Sequence, residues 1–232
     1  MMNKSLTVTQ DFNLVNAKYK LNTSEVKFIL TALTQLDSKQ DEILREYEIK
    51  VSDLEKKLQV EQNSTRLKQF AKKLMSKPLE VPTDSGWIVF NWFSKIQYCE
   101  KERLFRVRIE EDLKPYLLQL KERFVTYNLQ NILPLTSTYS VRIYQLLKEY
   151  EKLKKRYFDV VELQEILQVP KSLKVYADFK RKVLRVAERE LLQHTDIFFD
   201  FEEVKEGRRV VKLIFRIQKK QLEKRIKTSK II

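Results

Sequence analysis

The chain repeats itself, and the repeat limits the fold more than any other feature. Ile49, Val51, Leu54, Leu58-Gln59-Val60 and Phe70 with Lys72-Lys73-Leu74-Met75 form the first copy. At one constant offset, Phe158, Val160, Leu163, Leu167-Gln168-Val169 and Phe179 with Arg181-Lys182-Val183-Leu184 form the second. Each copy runs on into a strand-rich stretch with one of the chain's 2 glycines, Gly86 and Gly207. Self-similarity over such a span predicts two domains of one architecture. The order in each copy is short strand, short helix, turn, basic helix, β-hairpin. That is the order of a winged helix, a helix-turn-helix unit with a hairpin appended. The expected fold is therefore α+β, with two tandem winged-helix domains. Residues 1–130 would form the first domain, 131–218 the second, and 219–232 a basic tail.

Composition narrows the chemistry. At 232 residues, 43% of them hydrophobic, the chain can fill two small cores. A formal net charge of +14 points to a polyanionic partner, with nucleic acid first. One histidine, His194, and one cysteine, Cys99, cannot assemble an ordinary Cys/His zinc site. A single cysteine also allows no internal disulfide and fits a reducing cytoplasm. Two glycines leave no room for a Walker loop or a GxGxxG turn. No apolar run approaches the roughly 18 residues of a membrane span, and no signal-peptide pattern opens the sequence. The segment Tyr150-Glu151-Lys152-Leu153-Lys154 has the look of a nickase tyrosine motif, but no histidine pair accompanies it. We expect a cytoplasmic protein that is not an enzyme, with no metal, no cofactor and no membrane contact.

Periodicity and capping residues place the elements. Residues 1–20 read as an arm or leading strand. Asn22 to Glu25 offers a cap for a helix carrying Val26, Ile29, Leu30, Leu33 and Leu36. Tyr47–Val51 reads as a strand, 52–60 as a second helix and 63–76 as a third, closed by Pro78. Trp87–Tyr98 and Arg103–Ile109 read as a hairpin, and 110–124 as a helix with Pro115 near its first turn. The domain boundary is expected between Tyr127 and Thr138. A helix over 139–155, a short helix over 161–167 and a long helix over 173–194 follow. A hairpin of Ile197–Val204 with Arg208–Ile217 turns at Lys205-Glu206-Gly207.

Three groups of residues carry the expected chemistry. On the long helix, Tyr176, Phe179, Val183, Val186 and Leu191 form the buried stripe. Lys174, Asp178, Arg181, Arg185 and Arg189 share another face, flanked by Lys180 and Lys182. The second helix of a helix-turn-helix enters the major groove, where arginine matches guanine bidentately and lysines hold phosphates. The alternative is a solvated cationic face. On the first-domain helix, Thr65, Arg66, Gln69, Lys72 and Lys73 are the counterpart, expected to make more phosphate than base contacts; the alternative is a purely structural helix. Lys205, Arg208 and Arg209 crowd the second hairpin tip, where they would touch phosphate or the minor groove, or else guard an exposed strand edge. Trp87, Phe90, Trp92, Phe93 and Tyr98 read mainly as core, with some left on an outer face suited to a protein contact. His194 fits a helix-end dipole contact, and Cys99 an inert hairpin position.

These residues resemble the iteron-binding plasmid replication initiators of the RepA/RepE type. The segment Ser137-Thr138-Tyr139-Ser140-Val141-Arg142-Ile143-Tyr144-Gln145-Leu146-Leu147-Lys148 is similar to that family's S-x-Y-[AS]-[IV]-R-[LI]-Y-x-L-L pattern. Phe179 to Leu184, Ala187, Glu190, Thr195-Asp196-Ile197 and Lys205 to Val210 resemble its second-domain signature. Leu191-Leu192 stands where members commonly carry Ile-Asn. The resemblance implies tandem winged-helix domains without enzymatic activity. It implies monomers that bind direct repeats at an origin in double-stranded DNA, promote opening and recruit a host replication initiator and helicase. It also implies dimers, joined through the first domain, that repress their own gene at an operator inverted repeat. The helix around Lys180, Arg181 and Arg185 would be the main reader, and Arg142 would reach a phosphate. A winged-helix transcriptional regulator without a replication role is the competing reading.

Overall fold

The computed structural model describes residues 6–53 and 63–220. In the first half, β1 (Thr7–Asp11) leads into α1 (Phe12–Asn16), β2 (Lys18–Tyr19) and α2 (Thr23–Leu33). Then come β3 (Glu46–Lys50), α3 (Ser64–Met75), β4 (Leu79–Thr83), β5 (Gly86–Phe90), β6 (Phe93–Cys99), β7 (Leu104–Ile109) and β8 (Phe124–Asn128). The second half holds α4 (Thr138–Lys148), β9 (Lys155–Asp159) and α5 (Val160–Ile166). A long helix, α6, follows over 176–194. It is α-helical at Tyr176–Phe179, passes through a π-turn at Lys180–Leu184 and ends α-helical at Arg185–His194. The hairpin of β10 (Ile197–Glu206) and β11 (Arg209–Lys219) closes the fold.

The repeat survives in three dimensions. One sheet has the order β3-β7-β6 and another the order β9-β11-β10, so each domain pairs its leading strand with the return strand of its hairpin. Ile49 of β3 lies opposite Phe105 of β7, and Phe158 of β9 lies opposite Leu213 of β11. The turn that follows α5 and leads toward α6 uses Gln168 at φ 50°. The amide of Val169 then donates to the Gln164 carbonyl at 3.1 Å. The first copy begins its helix at residues 51–53; the rest of that predicted helix, 54–60, lies outside the described residues, as does 221–232 of the predicted tail.

Local chemistry sets the helix starts. Asn22 and Glu25 form a reciprocal capping box at α2, with Asn22 Oδ1 accepting from the Glu25 amide at 2.9 Å and Glu25 Oε2 accepting from the Asn22 amide at 2.7 Å. Glu25 is fully buried and is paired by Lys77 at 2.6 Å. Asn63 caps α3 by accepting from the Arg66 amide at 2.9 Å. Leu67 and Leu74 bury one side of α3 while its polar residues face water.

Several expectations are corrected. Residues 110–124 form not a helix but a 3-10 turn, Glu111–Tyr116, followed by irregular chain and β8. Pro115 lacks a donor, and Gln119 and Arg123 adopt positive φ, which stops helical propagation. The strand Phe124–Asn128 pairs with β1, so the arm is tied into a sheet, with Tyr127 opposite Val8. Trp87 to Tyr98 is two strands, not one. Gly86 turns the β4–β5 hairpin, so it is not the counterpart of Gly207; the first wing turns between Cys99 and Leu104. The helix expected over 139–155 stops at Lys148, because Lys154 takes a left-handed φ of 57° and Lys155 enters β9.

The two halves share one hydrophobic core, with a polar seam running through it. Arg142 of α4 is 2% exposed, so it is not a phosphate ligand. Its guanidinium donates to the Tyr19 hydroxyl and to the Ala17 carbonyl, both at 2.7 Å. Gln145 bridges to Tyr127 at 2.6 Å, and Tyr127 donates to Gln10 at 2.6 Å. Arg156 of β9 donates to Asn16 Oδ1 at 2.6 Å and lies between the Tyr150 and Phe158 rings. Glu190 of α6 accepts from the amides of Thr136 and Ser137 and from the Thr136 hydroxyl, which fixes the start of α4.

Candidate nucleic-acid interface

The buried side of α6 is Phe179, Val183, Leu184, Ala187 and Leu191. Phe179, Val183 and Leu191 were expected there. Val186, also expected, is only half-buried, and Ala187 takes its place; Tyr176 is half-buried too. The π-turn is the cause. One extra residue in the turn advances the packing stripe by one position beyond Val183.

The π-turn also re-sorts the cations. The Arg185 amide bonds to the Lys180 carbonyl, five residues back, which stacks Arg185 over Lys180. Both then lie toward the wing. Lys180 Nζ pairs with Glu203 of β10 at 2.6 Å, and the Arg185 guanidinium sits 5.0 Å above the Phe201 ring. Arg185 is thus beside Lys180 and not in one row with Asp178 and Arg181, as even helical spacing predicts. Asp178, Arg181 and Lys182 form a separate group. Asp178 Oδ1 accepts from Arg181 at 2.7 Å and is 3.4 Å from Lys182 Nζ. The hydrogen bond from Arg181, with Lys182 nearby, holds the Asp178 carboxyl below its usual range. Lys174 and Arg189 are exposed and form no ion pair among the described residues.

Glu203 is the residue that sequence reasoning missed. It accepts from the Tyr176 hydroxyl at 2.8 Å as well as from Lys180, so one wing carboxylate holds the first turns of α6. Burial raises its carboxyl, but the hydrogen bonds from Lys180 and Tyr176 outweigh this and leave it below its usual range. The signal was present in the strand alternation. Ile197, Phe199, Phe201 and Glu203 share the inward side of β10, and a carboxylate at the end of such a series requires a partner.

Lys205, Arg208 and Arg209 are exposed at the β10–β11 tip and form no ion pair among the described residues. Gly207 supplies the left-handed φ of 58° that this two-residue turn requires. In the first domain, Thr65, Arg66, Gln69, Lys72 and Lys73 are all exposed along α3, and its cations are likewise unpaired among the described residues. No hydrogen bond or ion pair links the α3 group to the α6 group among the described residues.

The aromatic cluster divides. Trp92 and Phe93 are core, whereas Trp87 is 67% exposed, and Ile88 and Val89 beside it are exposed as well. All three lie on β5, an edge strand of the sheet ordered β2-β4-β5. His194 is exposed in the last turn of α6, and Cys99 is half-buried at the end of β6. Among the described residues, no helix is long and apolar enough to cross a membrane.

A basic helix backed by a three-stranded sheet that pairs a leading strand with a hairpin occurs in each half, and in the second half it is seen to follow a short helix and turn; this defines a tandem winged-helix protein. Comparison with known proteins makes this specific. Residues 7–148 match the family described as Initiator Replication protein, WH1, and residues 159–217 match that described as Initiator Rep protein, WH2. The chain belongs to this initiator replication protein family. It is 28% identical over 226 residues to a replication initiation protein of Escherichia coli, covering 92% of this chain and 70% of the relative. It is 28% identical over 152 residues to the PI protein of Escherichia coli, covering 58% of this chain and 49% of that protein. A crystal structure of the Pi initiator protein in complex with iteron DNA has a TM-score of 0.76 to this fold at 25% identity, covering 95% of this chain and 100% of the other.

Proposed function

We propose that this chain is a plasmid replication initiator that binds repeated origin sequences, iterons, in double-stranded DNA. The carrying observation is the surface formed by α6 and its wing, where Arg181, Lys182 and Arg185 stand exposed beside Lys205, Arg208 and Arg209, which form no ion pair among the described residues. A basic helix with arginines in its first turns suits the major groove, and wing cations suit the adjoining phosphates. The Pi initiator, similar over nearly the whole chain, is a protein whose crystal structure holds iteron DNA, which supports the same role here.

In this reading the second domain, 131–218, is the main reader and uses Lys174, Asp178, Lys180, Arg181, Lys182, Arg185 and Arg189. The first domain, 1–130, adds contacts through Thr65, Arg66, Gln69, Lys72 and Lys73. Two winged helices on one chain reach about 20 bp, two successive major-groove faces. The chain opens the origin and recruits host replication proteins by binding, without a catalytic step. It also represses its own gene as a dimer. The exposed apolar edge of β5 in the first domain supports self-association, since a bare strand edge invites pairing with another copy.

The test is a gel shift with a repeat-bearing duplex and a scrambled duplex of equal composition. Arg181→Ala should lower the preference for the repeat, at a cost of about 1–3 kcal/mol of discrimination. Lys205→Ala should weaken both duplexes alike and flatten the salt dependence by about one charge. Equal wild-type affinity for the two duplexes at moderate salt overturns the proposal. A plasmid carrying the gene with its flanking repeats, scored for autonomous replication, tests the initiator role.

A further inference from the structure

The cations of the proposed interface fall into two classes. On α6, Lys180, Arg181, Lys182 and Arg185 each hold a carboxylate of their own domain: Glu203 for Lys180, Asp178 for Arg181 and Lys182, and Glu188 for Arg185 at 2.7 Å. At the wing tip and along α3, Lys205, Arg208, Arg209, Arg66, Lys72 and Lys73 form no ion pair among the described residues, nor do Lys174 and Arg189 at the two ends of the α6 group, although the charge of Lys205 acts on Glu203 from a distance. Arg181, Lys182 and Arg185 are more than half exposed, and pairs so open to water contribute little stability. Their placement therefore calls for another explanation.

A carboxylate within a Debye length of a DNA phosphate repels it, while a carboxylate facing a cytosine amino group accepts a hydrogen bond. An acidic group among reader cations thus penalises any duplex that offers only phosphate. It gives up less where a base edge takes its place or engages it. Arginine held by one nitrogen, as Arg181 is by Asp178, keeps its remaining donors free for guanine. Discrimination by a charge that the wrong partner leaves unsatisfied is a recognised route to specificity.

We infer that Asp178, Glu188 and Glu203 are specificity-determining residues, which screen the reader cations from non-cognate DNA and leave the unpaired wing and α3 cations to supply sequence-independent affinity. The inference rests on the proposed reading that α6 and its wing contact duplex DNA. Glu203 has a positioning role as well, because it ties the wing to Tyr176 and Lys180 at the start of the helix.

The test uses the full chain. A preferred duplex is selected from a random library with the wild type, and a scrambled duplex of the same composition serves as competitor. Dissociation constants for both are measured across a salt series for Asp178→Asn, Glu188→Gln, Glu203→Gln and the triple variant, with thermal melts to confirm folding. The triple variant should bind scrambled DNA about tenfold tighter with a steeper salt slope, while the preferred duplex gains far less, so that selectivity falls. Asp178→Asn alone should give about a threefold loss of selectivity. Among the described residues its carboxylate pairs with Arg181 and Lys182 alone, so it carries the test by itself if Glu203→Gln fails to fold. Unchanged selectivity in folded Asp178→Asn overturns the inference and leaves the proposed function standing. Failure of the wild type to enrich any sequence overturns the proposed function and the inference together.

Discussion

Arg142 sits over the ring of Tyr19, with its guanidinium carbon 4.1 Å from the ring centroid and one nitrogen donating to the same residue's hydroxyl at 2.7 Å. Arg142 belongs to α4 and Tyr19 to β2, so this contact stitches the second half of the chain to the first. The bulk of the guanidinium is buried, and its partners have no water to replace it. Arg142→Ala should therefore destabilise the protein by about 3 kcal/mol, by stranding the Tyr19 hydroxyl and the Ala17 carbonyl. Tyr19→Phe keeps the stacking and should cost about 1 kcal/mol. Urea titrations of the three proteins measure both, and equal midpoints for Arg142→Ala and wild type would refute the assignment.

Lys77 is the counter-ion of fully buried Glu25, whose carboxylate also caps α2. Removing the lysine leaves a carboxylate in the core without its cation. Lys77→Met should lower stability by about 3 kcal/mol. The double variant with Glu25→Gln should recover part of that loss, because no bare charge remains. A double-mutant cycle in denaturant gives the coupling directly.

Glu149 connects stability to pH. Burial pushes its carboxyl up to about 7, against the pull of Arg156, which is 3.2 Å away. The folded state therefore holds a proton that the unfolded chain has released, across the interval from the ordinary glutamate range up to about 7. This group's contribution thus falls as pH rises through that interval and is constant above it. Compared with wild type, Glu149→Gln should have a smaller loss of Tm between about pH 5 and pH 8, the difference being about 5–10 °C. Parallel melting curves for the two proteins across the interval would contradict the prediction.

Trp87, Ile88 and Val89 leave β5 with an exposed apolar edge in the first domain. Replacing Ile88 and Val89 with lysine places charge on that edge and should weaken self-association at least about tenfold. Sedimentation at several concentrations would measure it. A wild type that stays monomeric at every concentration would remove β5 as the dimer surface.

Much of this architecture is legible in the amino-acid sequence. The capping box of Asn22 and Glu25, the spacing of Val26 to Leu33, and the doubled strand-helix-turn-helix pattern are local signals, and local signals survive folding. The failures came where distant chain decides. Leu113, Leu117 and Leu118 have helical spacing, yet Pro115 and the positive φ of Gln119 and Arg123 break the run, and β1 recruits Phe124–Asn128 as a strand. Of the site, the exposed residues of α3, α6 and the wing tip were legible as charge on helix and hairpin surfaces. The division of α6 was not. A π-turn, invisible to periodicity, puts Arg185 over Lys180 and draws in Glu203 from another element.

By itself, then, the amino-acid order determined that two like modules exist, where each basic helix lies and that a polyanion is the fitting partner, because repeat, periodicity and net charge are properties of the chain alone. The tertiary structure decided which cations remain open to a partner. Arg142 reads as one more positive charge in the sequence, but packing seals it beneath Tyr19. Arg181 is held by Asp178 yet stays in water, while Arg209 at the wing tip has no ion pair among the described residues. Burial and ion pairing depend on which elements meet across the fold, and residue spacing does not carry that information.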